Sequence, residues 1–282
     1  MTVEMEIGMH GTLFDARRLE RLADHFREAR PFPHVVVPDF LTVSPARLAP
    51  VFPGPDWPGW ARFLDSYQHQ KMFCADLARI PAPLARIIHA LGAPPFLEVL
   101  ETLTGITSLI PDPYLDGGGL HSSGPGGTLA PHTDFHRYRR LGLYRRINLL
   151  LYLNPEWSEE DGGCLELYDE GRAGPAVTIV PRWGTCVIFE TDARSVHGFT
   201  RPVRAGRWRN SIALYYYTSA ETARFSGDGD THWRTHAPIS GRGRFGVVLY
   251  RVLLTASSTL SRLAHRVNPH LTSRPLPSRD DR

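Results

Sequence analysis

Arg209-Asn-Ser-Ile-Ala-Leu-Tyr-Tyr-Tyr-Thr218 is the stretch whose reading decides the fold. Its aliphatic and aromatic run suits a buried strand. Arg209 and Ser211 lie two apart and so share one face at the head of that strand, because side chains alternate with period two. A guanidinium so placed, with a hydroxyl beside it, can take a carboxylate through two parallel hydrogen bonds.

The same grammar recurs toward the N-terminus. Short β-favouring runs at residues 128–130, 146–153, 163–168, 176–180, 186–190, 196–200 and 211–218 are separated by turn residues. Many strands at this spacing predict a sandwich or jelly roll. The first hundred residues read mostly as packing helices, with helical spacing in Phe14-Ala16-Leu19-Leu22-Phe26, Leu84-Ile87-Ile88-Leu91 and Phe96-Val99-Leu100-Leu103. Between them, the β-branched run at residues 31–40 is bounded by prolines and fits an edge strand; the Pro/Gly/Trp-rich residues 50–60 fit a loop. Residues 245–267 are helix-like and apolar around much of their circumference, which predicts a helix packed on the body. The expected class is α+β with a mainly β core, as one domain over residues 1–282. Its helical N-terminal region, with one edge strand, runs to about residue 104 and its core spans about 105–218. A basic extension with a helix follows from about 219.

Composition narrows the class. At 282 residues, 42% apolar and 22% charged, the chain can bury one sizeable core. No apolar run approaches the roughly 18–20 residues of a membrane span, and the N-terminus lacks the order of a signal peptide, so a cytoplasmic protein is expected. Three cysteines without C-x-x-C spacing indicate neither a disulfide framework nor a thiolate metal site. A formal charge of +3 gives no case for nucleic acid, although residues 201–282 hold 14 Arg against 5 acids, a local +9. Lys71 is the one lysine among 32 basic residues, so single exposed arginines carry little information. Oligomeric state is not legible.

His132-Thr-Asp134 puts two metal-ligand side chains on one face of an extended strand, and His197 follows 63 residues after Asp134 on a later strand. Two imidazoles and one carboxylate on one face of a metal leave three positions open, enough for a bidentate oxoacid and O2 at non-haem Fe(II). A cupin-like zinc hydrolase can use the same three side chains; it predicts zinc dependence and leaves Arg209 and Ser211 without a role. An inactive jelly-roll binding module predicts a broken ligand set. Arg137-Tyr-Arg-Arg140 and Arg145-Arg146 read as a basic loop near the pocket mouth, either solvated or attracting an anion, and His136 as a possible substrate contact. Gly117-Gly-Gly119 and Gly126-Gly127 lack the frame of a phosphate cradle and read as turns.

The order His-x-Asp, His, Arg-x-Ser resembles the 2-oxoglutarate/Fe(II)-dependent oxygenase superfamily, specifically its prolyl-4-hydroxylase-like branch. Residues 31–41, Leu103-Thr-Gly-Ile106, Asp116-Gly-Gly-Gly-Leu-His121, Asn148-Leu-Leu-Leu-Tyr-Leu-Asn154, Trp157 and Gly162-Gly163 extend the likeness over roughly residues 30–218. The resemblance implies a double-stranded β-helix and Fe(II) held by His132, Asp134 and His197. It also implies 2-oxoglutarate gripped by Arg209 and Ser211, with Tyr152 bonded to its tail and Asn148 lining the same cavity. O2 is then the oxidant, ascorbate a further candidate cofactor, and 2-oxoglutarate leaves as succinate and CO2. Hydroxylation of an amino-acid, peptidyl (prolyl included) or natural-product substrate is implied; halogenation is not, since Asp134 fills the position a halide would take.

Overall fold

The computed structural model describes residues 15–62, 67–220, 231–233 and the single positions 249, 252, 256 and 260. The chain divides into one unit at residues 1–236 and another at 237–282. In the second unit, Leu249, Val252, Ala256 and Leu260 are helical and exposed; the rest of the helix expected over 245–267 lies outside the described residues.

Among the described residues the three longer helices of the first unit are α1 (Ala16–Glu28), α2 (Ala82–Leu91) and α3 (Pro94–Thr104). The Asp15 carboxylate accepts the Arg18 N–H at 3.0 Å and so caps α1. Gly105, at φ 70°, ends α3 in the left-handed conformation that glycine adopts without steric cost.

Among the described residues thirteen strands form a curled antiparallel sheet, the jelly roll expected. In chain order they are β1 (His34–Val37), β2 (Ala61–Arg62), β3 (Gln68–Cys74), β4 (Ile110–Pro111), β5 (Gly119–Thr133), β6 (Arg137–Tyr138), β7 (Leu143–Tyr152), β8 (Leu165–Tyr168), β9 (Pro175–Ile179), β10 (Cys186–Glu190), β11 (His197–Phe199), β12 (Arg209–Thr218) and β13 (His232–Trp233). The main path runs β1-β10-β7-β12-β5-β11-β8-β9, so the predicted edge strand, β1, does stand at an edge.

Alternation along the central strands sorts their side chains. Ile147, Leu149 and Leu151 of β7, with Ile212, Leu214 and Tyr216 of β12, join the helices in one apolar core. Each such aliphatic chain, fully buried, contributes on the order of 1.5–3 kcal/mol. The opposite faces of the same strands carry Asn148 and Leu150, then Arg209, Ser211, Ala213 and Tyr215, and these line a cavity.

Two expectations need correction. The N-terminal region holds β2 and β3 besides its edge strand, and β3 pairs with β5. Polar residues of β3 face the cavity, which hides its alternation. Gly126-Gly127 lies within β5 rather than in a turn before it, because residues 124–127 bulge out of the strand: Lys71 opposes Ser123, yet His69 opposes Thr128.

Candidate metal and cosubstrate site

His132 lies near the end of β5, Asp134 just beyond it, and His197 opens β11. Strand pairing sets His197 directly opposite His132, their ring centroids 4.5 Å apart. His132 Nε2 lies 3.6 Å from Asp134 Oδ1, and His197 Nε2 lies 3.9 Å from Asp134 Oδ2. One ligand atom from each of the three falls within 4.8 Å of the others.

The donor set fits a divalent metal. His132 Nδ1 meets the Ala130 carbonyl and His197 Nδ1 the Ser195 carbonyl, both at 2.9 Å. A carbonyl only accepts, so each Nδ1 carries the proton and each Nε2 keeps its lone pair toward the site. Burial foremost, then the neighbouring His132, lowers the His197 pKa to about 4, so it stays neutral near pH 7. Trp233 stacks on the His132 ring at 4.6 Å and on Tyr67 at 4.9 Å. It thereby covers one side of the candidate ligand.

Asp134 is clamped from behind. Its Oδ2 receives Arg145 Nη1 at 3.1 Å and Asn148 Nδ2 at 2.9 Å. Burial pushes the carboxyl up, but the Arg145 guanidinium, with His197 and His132, more than reverses this and holds it well below the usual carboxylate range. Arg145 is 1% exposed and sandwiched between the rings of Phe135 and Tyr215, at 3.7 and 3.6 Å from their centroids. The expectation of a basic loop therefore fails at Arg145 and Arg146. Both sit in β7, where Arg145 answers Asp134 and Arg146 lies 3.6 Å from Glu190. His136 is buried beside Tyr144 and is not among the cavity-lining residues.

A second cluster forms where β12 begins. Arg209 Nε donates to the Gly163 carbonyl at 2.6 Å and Nη2 to the Tyr152 hydroxyl at 3.1 Å. Its guanidinium lies over the Phe199 ring at 4.4 Å. Gly163, at φ 61°, leaves room for this arm: a Cβ there would come within 2.8 Å of Arg209 Cδ. Arg209 is buried yet no carboxylate pairs with it among the described residues, the condition in which a guanidinium gains most from an incoming anion. Ser211 lines the cavity beside it, whereas Tyr152, fully buried, meets Arg209 from outside the cavity lining.

The triad and Arg209 border one cavity of about 200 Å³. Gln68, Lys71, His121 and Ser123 complete one wall, Thr231 and Trp233 another. Burial, and next the charge of Lys71, lowers the His121 pKa to about 3. Residues 118–217 match the profile of the 2OG-Fe(II) oxygenase superfamily, a span that contains the triad, Arg209 and Ser211. Over that span the chain is similar to this superfamily.

Other likenesses agree. The chain is 42% identical over 77 residues to the prolyl 3-hydroxylase OGFOD1 of Xenopus laevis, covering 26% of this chain and 15% of that one. It is 30% identical over 137 residues to the prolyl 3,4-dihydroxylase OGFOD1 of Ostreococcus tauri, covering 44% and 27%. The chain therefore spans under a third of the length of the curated relatives it matches. Among solved structures, a Trichoplax adhaerens prolyl hydroxylase in complex with a hypoxia inducible factor peptide fragment aligns at TM-score 0.52 and 19% identity, over 72% of this chain and 92% of that one. The epimerase SnoN from nogalamycin biosynthesis aligns at 0.51 and 20%, over 80% and 96%. At such identities these two show a shared fold.

Arg145, Lys71 and Trp233 are the site residues that sequence reasoning missed. Arg145 was visible as a basic residue but not as Asp134's partner. For Trp233 the polar surroundings gave no signal.

Proposed function

We propose that this protein is an Fe(II)- and 2-oxoglutarate-dependent hydroxylase. The observation that carries the reading is one cavity bordered both by a three-ligand face with two Nε2 atoms and a carboxylate and by a buried guanidinium without a carboxylate partner among the described residues. In this reading His132, Asp134 and His197 hold the metal. Asn148 and Arg145 keep Asp134 ionised and oriented. Arg209, braced by the Gly163 carbonyl and Tyr152, takes the far carboxylate of 2-oxoglutarate with Ser211 beside it. Bound metal and cosubstrate supply oxidative decarboxylation to succinate and CO2, coupled to hydroxylation. Leu165, Phe199 and Trp233 restrict water around the cavity.

The relatives' names support a prolyl residue in a peptide as the substrate class to test first, ahead of free amino acids and natural-product scaffolds; ascorbate belongs in the assay. No described helix is long and apolar enough to cross a membrane. Three free, buried cysteines suit a reducing compartment, and we place the protein in the cytoplasm on that ground.

The test is anaerobic addition of Fe(II) and 2-oxoglutarate, read by the visible metal-to-ligand charge-transfer band. We expect the band in the native protein, its loss in Asp134→Ala and a large rise in the 2-oxoglutarate concentration needed in Arg209→Ala. Spectra unchanged in both variants would overturn the proposal.

A further inference from the structure

Arginines crowd residues 137–146, and two of them, Arg145 and Arg146, are ion-paired with Asp134 and Glu190. Arg137, Arg139 and Arg140 stand exposed on the hairpin that joins β6 to β7. In a chain this rich in arginine, the charges alone carry little information. The apolar surface around them carries more.

The exposed large apolar side chains described in the first unit are Ile110, Tyr114 and Leu141, and the last two flank Arg140. Leu141 follows it in the hairpin tip, and the Tyr114 ring lies under its guanidinium, with Cζ 3.6 Å from the ring centroid. A guanidinium stacked on an aromatic face is held flat while its edge donors stay available. Both halves of the stack are anchored. Gly142, at φ 68°, closes the hairpin by donating to the Tyr138 carbonyl at 2.9 Å. The buried Asp112 carboxylate accepts the Tyr114 and Asp116 N–H groups at 2.9 and 2.8 Å and so pins the facing loop. Arginine, tyrosine and leucine held exposed together on fixed backbone have the composition of an interface.

This surface runs into the cavity. Tyr138, Tyr215 and Tyr217 form one aromatic cluster with Phe135 and Leu143, and Phe135 and Tyr215 also line the cavity. Tyr114 stands three residues before Gly117, another lining residue, so at most about 11 Å of backbone separates the two. An extended peptide covers that distance in about three residues.

Charge and backbone select the occupant. Arg137 and Arg140 have no carboxylate partner among the described residues; Asp116, the exposed acid of the facing loop, pairs with neither. Among the described strands β6 pairs with β7 alone, so its outer edge can take backbone hydrogen bonds from a further extended chain. A polypeptide can complete that edge; a polynucleotide cannot.

We propose that the β6–β7 hairpin and Tyr114 form a docking surface for an acidic polypeptide segment, whose Asp or Glu carboxylates are taken by Arg137 and Arg140. Under the proposed function, on which this last step rests, the segment belongs to the substrate. Its acids then lie about three residues from the residue that enters the cavity.

The probe is a short labelled peptide with a central proline and an aspartate three positions to either side; its isostere carries asparagines instead. Binding to the metal-free full chain is followed by fluorescence anisotropy at low and high salt. The aspartate peptide should bind roughly tenfold or more tightly than the asparagine peptide at low salt, and the gap should narrow at high salt. In Arg137→Gln/Arg140→Gln the gap should shrink to about twofold or less. In Arg137→Glu/Arg140→Glu a matching lysine peptide should become the tightest binder. Equal binding of the acidic and neutral peptides by the native chain, or a preference untouched in both double variants, would overturn the docking surface. An oligouridylate that displaces the labelled peptide at lower concentration than the unlabelled peptide does would overturn the assignment to a polypeptide.

A second arm identifies the segment as substrate. Succinate release with Fe(II), 2-oxoglutarate and O2 should show a KM roughly tenfold lower for the aspartate peptide than for the asparagine peptide, a gap lost in Arg137→Gln/Arg140→Gln. Both peptides turned over alike, with the binding preference intact, would overturn the substrate role. A missing charge-transfer band in the native protein with the binding preference intact would sink the oxygenase reading and leave the docking surface standing.

Discussion

Arg145→Met tests the electrostatic logic behind the metal face. In the native protein, Asp134 Oδ2 is held by Arg145 at 3.1 Å and Asn148 at 2.9 Å, and the carboxylate is 11% exposed. Removing one partner of a buried ion pair costs about 3–5 kcal/mol, because the other charge is left behind without compensation. Asn148 still donates and the carboxyl can escape by protonation, so the low half of that range applies. At roughly 2–4 °C per kcal/mol for a chain of this size, the metal-free protein should lose about 6–16 °C in Tm. Scanning calorimetry in chelator at pH 7 measures it. The Arg145→Met/Asp134→Asn double variant should fall well short of the summed losses, since each single change strands the other's charge. A shift under about 2 °C, or additive losses, would refute the clamp.

Arg209→Met should raise the 2-oxoglutarate Kd by about a hundredfold, as expected for losing charge-assisted hydrogen bonds worth roughly 2–3 kcal/mol, while leaving metal affinity in equilibrium dialysis unchanged. Gly163→Ala forces a Cβ to within 2.8 Å of Arg209 Cδ at φ 61°; about 1–3 kcal/mol of stability should be lost in urea denaturation, with a weakened 2-oxoglutarate Kd. Acid should destabilise the metal-free protein. His121 at about 3 and His197 at about 4 lie below the ordinary histidine value, so the unfolded chain takes up protons that the folded one refuses. Stability is then fully present above about pH 6.5 and falls by about 1.4 kcal/mol per pH unit per histidine as pH drops toward 4. Depressed Asp134 adds loss in the same direction at lower pH. Urea midpoints at pH 7, 6 and 5 check this; a flat profile contradicts it.

What the sequence disclosed and what it hid have physical causes. β7, β10 and β12 were legible because one of their faces packs on the helices, so alternation survives in the residue types. β3 was missed because Lys71 and Gln68 face a polar cavity and a bulge shifts the period between them. His132, Asp134 and His197 announce themselves by residue type. Arg145 does not: in sequence it adjoins a basic loop, and only the turn from β6 into β7 brings it behind Asp134. Trp233 joins the site by pairing β13 with β5 at His132, a register that no local pattern encodes.

That register dependence also explains why the cavity's charge could not be read from composition. Among its described lining residues three cations, Lys71, Arg145 and Arg209, face one anion, Asp134, a surplus of two. A dicarboxylate by itself would cancel that surplus, and a divalent metal would restore it. Uncompensated charge in a mostly buried cavity is costly, so the described lining favours an anionic ligand over a neutral one. Arg145 is committed to Asp134 and Arg209 stands where the cosubstrate tail is proposed to lie.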